Sequence, residues 1–202
     1  MSTTSHLDEQ MDGRTARAVR TRDGIVDACL DLIDEGDVRP TGPRIAERAG
    51  VSVRSIFQHF DDPERLFSAV GERVSHRIAR LVAPIDADLP TDDRVDAYVQ
   101  QRAAVLESLA PVLRAAMVYK ASSEVITRQF ADGHAFFREH LEQVFAPELD
   151  AAPDRVVALD ALVAVTSWPC WELWRTAQGR STDDARRVMA WSIRAALTAA
   201  RG

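Results

Sequence analysis

No run of about 18 apolar residues, the length a membrane-spanning helix needs, occurs in the sequence. Its most apolar stretch, Val156 to Trp174, is interrupted by Asp160, Pro169 and Glu172 and reads as one buried helix. The first twenty residues are polar and lack the apolar segment of a signal peptide. There are only two cysteines, Cys29 and Cys170, each inside an apolar helical pattern. They fit small buried hydrophobes in a reducing cytoplasm better than a disulfide or redox pair. The five histidines show no ligand spacing, so neither a metal nor another cofactor is expected. A nucleophile elbow, a phosphate-binding loop and a dinucleotide glycine pattern are all missing, which argues against an enzyme. Aromatics are few, at 6%, yet three of the four tryptophans crowd into Trp168, Trp171 and Trp174.

Lysine is nearly absent as well. Lys120 is the single lysine among 25 basic residues, and the net charge of −6 argues against a protein that coats nucleic acid indiscriminately. Between Arg14 and Phe60, however, eight arginines face seven acids, so the charge deficit lies elsewhere. Such a local basic excess suits a specific DNA contact made by a few residues.

What the chain does contain is helix after helix, with no alternating strand pattern and no internal repeat. Residues 1–19 are polar and without periodicity, and read as a flexible arm whose Arg14 and Arg17, with Arg20 and Arg22 just beyond it, are able to reach a minor groove. Ile25, Cys29, Leu32 and Ile33 mark one face of a first helix that stops at Gly36. A short second helix from Pro43 carries Ile45, Ala46 and Ala49 and ends at Gly50. A third starts after Ser52, a ready cap, and carries Ile56 and Phe60. Asp62 and Pro63 open a longer helix to about residue 83, seamed by Leu66, Val70, Val74, Ile78 and Leu81. Pro84 and Pro90 bracket a loop taken as the domain boundary. Beyond it, helices are expected at 92–108, 111–120, 122–146, 153–177 and 182–200, with Ser181-x-x-Asp184 as a capping box for the last.

Residues 45–60 read IAERAGVSVRSIFQHF. This is a short helix, a turn through Gly50 where only glycine turns left-handed cheaply, and a second short helix. Small Ala46 and Ala49 permit a close crossing. The outward face of the second helix then shows Arg54, Ser55, Gln58 and His59, which are able to meet base edges and phosphates in a major groove. On spacing alone, a plain helical hairpin explains the pattern equally well.

The stretch from Ile25 to Leu66, with IVDACLDLIDEG, IAERAGVSVRSIFQHF and ERLF, resembles the TetR family of repressors. The resemblance implies an all-α homodimer with an N-terminal three-helix helix-turn-helix DNA-binding domain and a C-terminal helical ligand-binding and dimerisation domain. It also implies dimerisation through the last two helices and a non-enzymatic role as a transcriptional repressor, released from a palindromic operator by a small effector. DNA binding is expected over residues 20–80, with the helix-turn-helix at 41–60, and regulation over 81–202. Two departures remove phosphate anchors. Phe57 stands where the family usually has Tyr, and Pro63 where it usually has Lys, so that Arg65 or the arm arginines would substitute.

Candidate contacts to double-stranded DNA are Thr41, Arg44, Ser52, Val53, Arg54, Ser55, Phe57, Gln58 and His59, with Arg54 first among them. An ion pair of Arg54 with Glu47 is the structural alternative. Candidate ligand-pocket residues are Tyr98, Arg102, Met117, Phe130, His134, Phe137 and Trp168, of which Arg102 and His134 would orient a mostly apolar effector. An apolar helix at 156–174 needs cover on two sides, which a two-fold partner supplies. The expected interface residues are Val163, Trp171, Trp174, Val188, Ser192 and Ala196. The rival reading is a helical carrier that keeps the hairpin without using it on DNA.

Overall fold

A computed structural model describes residues 3–200, with side chains from Thr15 onward. No β-strand occurs among the described residues. The helices are α1 (Thr3–Asp34), α2 (Gly42–Ala49), α3 (Val53–His59), α4 (Pro63–Ala79), α5 (Thr91–Tyr119), α6 (Glu124–Val144), α7 (Ala146–Asp150), α8 (Arg155–Val165), α9 (Trp168–Glu172) and α10 (Thr182–Ala199). A 3-10 turn, Lys120–Ser122, precedes α6, and a π-helical turn, Leu173–Ala177, extends α9. The chain forms two compact units. The first runs to Arg73 and includes Pro111–Thr127; the second holds Val74–Ala110 and everything from Arg128.

Several expectations need correction. The arm expected over residues 1–19 is helical from Thr3, as part of α1; its Met1 and Ser2 and the side chain of Arg14 lie outside the described residues. Ala16, Arg17, Ala18 and Arg20 are strong helix formers. Residues 15–20 are exposed, so nothing demanded the apolar periodicity that would have revealed the helix. Pro111 does not end a helix, because α5 runs through it. Loss of one backbone hydrogen bond there is outweighed by burial of Leu106, Leu109, Val112 and Ala115. The long helix expected over 153–177 is broken instead. Thr166 closes α8, the Ser167 hydroxyl accepts the Cys170 amide at 3.5 Å, and Pro169 opens α9. The loop between Pro84 and Pro90 is present, but the compact units divide at Arg73 and Val74, within α4.

In the first unit, α1 buries Ile25, Val26, Ala28, Cys29, Leu30, Leu32 and Ile33, a broad face opposite exposed Asp27, Asp31 and Asp34. Burial pushes the Cys29 thiol up to about 12, aided by nearby Asp37, so it is an inert core residue. Arg73 on α4 reaches Asp23 and Asp27 on α1, each at 3.1 Å. The returning segment 111–127 is pinned by Glu64. Its Oε2 accepts the Ser123 hydroxyl at 3.0 Å and the Val125 amide at 3.1 Å, at the first turn of α6.

The second unit packs its core from α5, α6, α7, α8, α9 and α10, around Tyr98, Leu106, Phe145, Leu159, Leu162, Trp171, Met189 and Ile193. Arg94 and Glu148 form an ion pair inside it at 2.6 Å, with all three guanidinium nitrogens engaged. Among the described residues no single helix is long and apolar enough to cross a membrane. The bent pair Arg155–Val165 and Trp168–Ala177 reaches that composition only jointly. Its apolar side chains Leu159, Leu162 and Trp171 are core residues here.

Candidate nucleic-acid interface

The geometry at residues 41–60 follows from two backbone devices. Gly50 adopts φ 65° and ψ 31°, which a side chain would disfavour. Its amide donates to the Glu47 carbonyl at 3.2 Å, and the Val51 amide donates to the Ala46 carbonyl at 3.0 Å. This double bond satisfies the last carbonyls of α2 and turns the chain sharply. Ser52 then caps α3, its hydroxyl accepting the Ser55 amide at 3.1 Å. Buried Ile45, Ala46, Ile56 and Phe60 fix the two helices against α1, and Arg22 lies 5.1 Å over the Phe60 ring.

What this leaves outward is specific. Val53, Arg54, Phe57 and Gln58 are exposed on α3, while Ser55 and His59 are half-buried beside them. Phe57 is 64% exposed, unusual for a phenylalanine with no cover. Arg54 makes no hydrogen bond or ion pair among the described residues, so it is not paired with Glu47. The neighbouring arginines differ. Arg48 is held by Glu35 at 2.6 and 2.8 Å, and this hydrogen-bonded partner lowers the Glu35 carboxyl below its ordinary range. Arg44 pairs with Asp37, so one edge of its guanidinium is already occupied. Thr41 is exposed at the start of α2, and its side chain makes no cap bond. Arg65 pairs with Asp61 at 3.2 Å, both largely exposed.

Residues 25–70 match the family model for bacterial regulatory proteins, tetR family. Over those residues the chain carries the N-terminal segment of the TetR family. It is a DNA-binding transcriptional regulator and not an enzyme. No curated protein matches the sequence. Among solved structures, the chain is similar to a transcriptional regulator from Rhodococcus sp. Rha1, with a TM-score of 0.71 at 15% identity, over 90% of this chain and 98% of that one. It is also similar to a protein described as a TetR-family transcriptional regulator from Rhodococcus sp. The TM-score there is 0.64 at 17% identity, over 88% and 99% of the two chains. A protein given the same description from Mesorhizobium loti MAFF303099 matches with a TM-score of 0.61 at 19% identity, over 91% and 98%. At these identities the likeness is one of fold.

The residues expected to line a ligand pocket do not all fall together. Tyr98, Arg102 and Phe137 do: the Arg102 guanidinium carbon stands 3.7 Å over the Phe137 ring, and Tyr98 is one turn away on α5. Trp168 and Phe130 are half-buried. His134 and Met117 are exposed, and Met117 belongs to the first unit, so neither shares that core. On α6 it is His140 that packs inward instead, its ring 5.4 Å from that of Tyr98.

Trp171 and Trp174 are not available to a partner. They are 1% and 8% exposed inside their own chain, and the Trp171 indole N–H donates to Glu107 at 2.8 Å. The chain bends by 41° between Arg155–Val165 and Trp168–Ala177, and the second piece packs Trp171 and Trp174 into the core. Val163, Val188, Ser192 and Ala196 are half-buried. Trp191, not among the expected interface residues, is 71% exposed on α10, with Val156, Val157 and Leu173 also open. A tryptophan two residues after Met189 points away from the buried face of an α10 whose core contacts are Ala185, Met189, Ile193 and Leu197.

Proposed function

We propose that this protein is a cytoplasmic repressor that binds a palindromic operator as a homodimer and is released by a small effector. DNA binding is assigned to residues 20–80, of which 20–73 belong to the first compact unit, and regulation and dimerisation to 81–202, of which Pro111–Thr127 belongs to that unit as well. The observation that carries this is the outward face of α3. An unpaired Arg54, an uncovered Phe57 and Gln58 stand on a short helix fixed from behind by a buried seam. Arg54 suits a guanine edge, Gln58 an adenine edge, and Phe57 or Val53 a thymine methyl. Ser52, Ser55 and His59 suit phosphates, as do Thr41 and the free edge of Arg44 at the start of α2.

One short helix reads too few bases for a unique site, and a two-fold partner doubles the reading. The open hydrophobic side chains Val156, Val157, Leu173 and Trp191 support a second copy as the cover for α8 to α10, with Val188, Ser192 and Ala196 at its margin. Effector control rests on continuity of the chain. Helices α4, α5 and α6 each supply residues to both compact units, so a ligand that shifts them in one is able to bias the other. Such a ligand must bind the DNA-free conformation better than the DNA-bound one.

Footprinting on the DNA flanking the protein's own gene tests the reading. Two protected half-sites roughly 34–36 Å apart are expected. A single unpaired site, or uniform protection, would overturn it.

A further inference from the structure

The second unit contains two buried arginines, and they are treated differently. Arg94 is fully partnered: Nε donates to the Leu89 carbonyl at 3.0 Å, Nη1 to the Val144 carbonyl and to Glu148, and Nη2 to Glu148. Arg102, with 8% of its surface left, has one hydrogen bond among the described residues, from Nε to the Thr166 carbonyl at 2.9 Å. No carboxylate lies within ion-pair distance of it among those residues. A guanidinium has five N–H donors, so both Nη groups are without a protein acceptor among the described residues; unlike the Tyr98 hydroxyl, they keep a narrow contact with solvent, within the 8% of surface that Arg102 retains.

Burying a guanidinium costs several kcal/mol unless the charge is answered. The Thr166 carbonyl at the C-terminus of α8 and the face of Phe137 answer it in part, through the helix dipole and the ring quadrupole. Neither carries a full negative charge. Around Arg102 stand two further polar groups with unmet capacity. The Tyr98 hydroxyl is sealed from solvent without a hydrogen bond of ordinary geometry, and the nearby Thr166 hydroxyl donates to the Leu162 carbonyl. His140 is half-buried against the Tyr98 ring, its pKa lowered by burial and by the Arg102 charge. A guanidinium fork, a phenol donor and an imidazole thus come together, with the rings of Phe137 and Phe145 packed against Arg102 and Tyr98.

We infer that Arg102, with Tyr98 and His140, forms the headgroup site for an organic carboxylate with an aromatic or alkyl body, and that this anion is the effector. This rests on the ligand-gated reading proposed above and narrows it from an apolar ligand to an acidic one. A carboxylate matches the two Nη donors bidentately, while the Tyr98 O–H donates to the same oxygens and the body lies against Phe137. Tyr98 keeps 1% of its surface, so such a ligand enters only as the packing around it parts. Binding is therefore tied to a rearrangement of this unit, as release from DNA requires.

Isothermal titration calorimetry on the full chain decides the matter, using benzoate, phenylacetate and octanoate, each against its own carboxamide. At least one carboxylate is expected to bind, and its carboxamide about ten- to a hundredfold more weakly, the value of hydrogen bonds to a charged group. Arg102→Met should erase that discrimination while leaving the ligand-free protein as heat-stable as the wild type or more so, and Arg102→Lys should retain part of it. Equal binding of acid and amide to the wild type, or no binding of any of the three acids, overturns the site without using a variant. So does a large stability loss in Arg102→Met accompanied by unchanged discrimination in Arg102→Lys, which would make Arg102 a cap for α8. A carboxylate that binds through Arg102 yet leaves operator affinity unchanged would instead preserve the site and remove the ligand-gated reading.

Discussion

The outward face of α3 and the core of the second unit place their unpaired arginines in opposite surroundings. Arg54 stands in water, where an unpartnered guanidinium is cheap and ready for a partner that arrives with its own charge. Arg102 is buried, where the same state is expensive, and so marks a second partner more strongly than exposure does. Arg94, a few residues before Arg102, shows what the fold does when it needs a buried arginine only for itself: it supplies Glu148. An arginine's exposure alone therefore says little about its role. The informative quantity is the number of donors left over, given how much water has been removed.

The Arg94–Glu148 pair is the place to break this comparison hardest. Glu148→Ala leaves Arg94 buried and uncompensated, and should cost about 3–5 kcal/mol in urea unfolding. Arg102→Met, which removes a charge that no carboxylate among the described residues answers, should cost far less. Similar losses for the two variants would show that Arg102 is an ordinary structural arginine.

The surface proposed for a second copy comes next. Trp191→Glu should weaken the dimer by about 2–4 kcal/mol, read by analytical ultracentrifugation over a dilution series. Trp191→Phe should do less. An unchanged dimer would move the interface off α10. Ser52→Ala removes the cap of α3 and should cost about 1 kcal/mol of stability, read by thermal unfolding, with a further loss in operator affinity if the hydroxyl meets phosphate. No affinity change beyond the stability effect would leave Ser52 a cap only.

The smallest effect is one of pH. Burial raises the Glu148 carboxyl, but hydrogen bonds from Arg94 and Thr91 outweigh it, and the net result lies below the ordinary 4.5. A carboxyl lowered on folding contributes stability that is present above its unfolded pKa and lost as pH falls through the folded one. Stability of the wild type should therefore decline below about pH 4.5, and Glu148→Gln should flatten that decline. A parallel decline in both would assign the acid sensitivity to other carboxylates.

The first unit was far more legible in sequence than the second, for a physical reason. Gly50, Ser52, Asp62 and Pro63 act on the backbone within a few residues of themselves, so their meaning does not depend on the rest of the fold. The exposed set on α3 follows from those anchors and the helical period. Burial of Trp171 depends instead on the break at Thr166 and Ser167, and the continuity of α5 through Pro111 depends on what packs on either side of it. Neither is a local property. Arg102 was readable as a polar member of an apolar helix, but its missing counter-ion is visible only once Glu148 is seen to serve Arg94. His140 and Trp191 carried helical spacing that fitted core and surface equally well.

The most direct test of the account is fluorescence anisotropy with the full chain and labelled DNA flanking its own gene, comparing wild type, Arg54→Ala and Arg48→Ala. The account predicts that the wild type binds this DNA well above a scrambled duplex. It also predicts that Arg54→Ala loses about 1–3 kcal/mol and some of that preference, and that Arg48→Ala, whose guanidinium is held by Glu35, loses less. Wild-type binding no better than to the scrambled duplex, or Arg54→Ala binding as tightly and selectively as wild type, would contradict it.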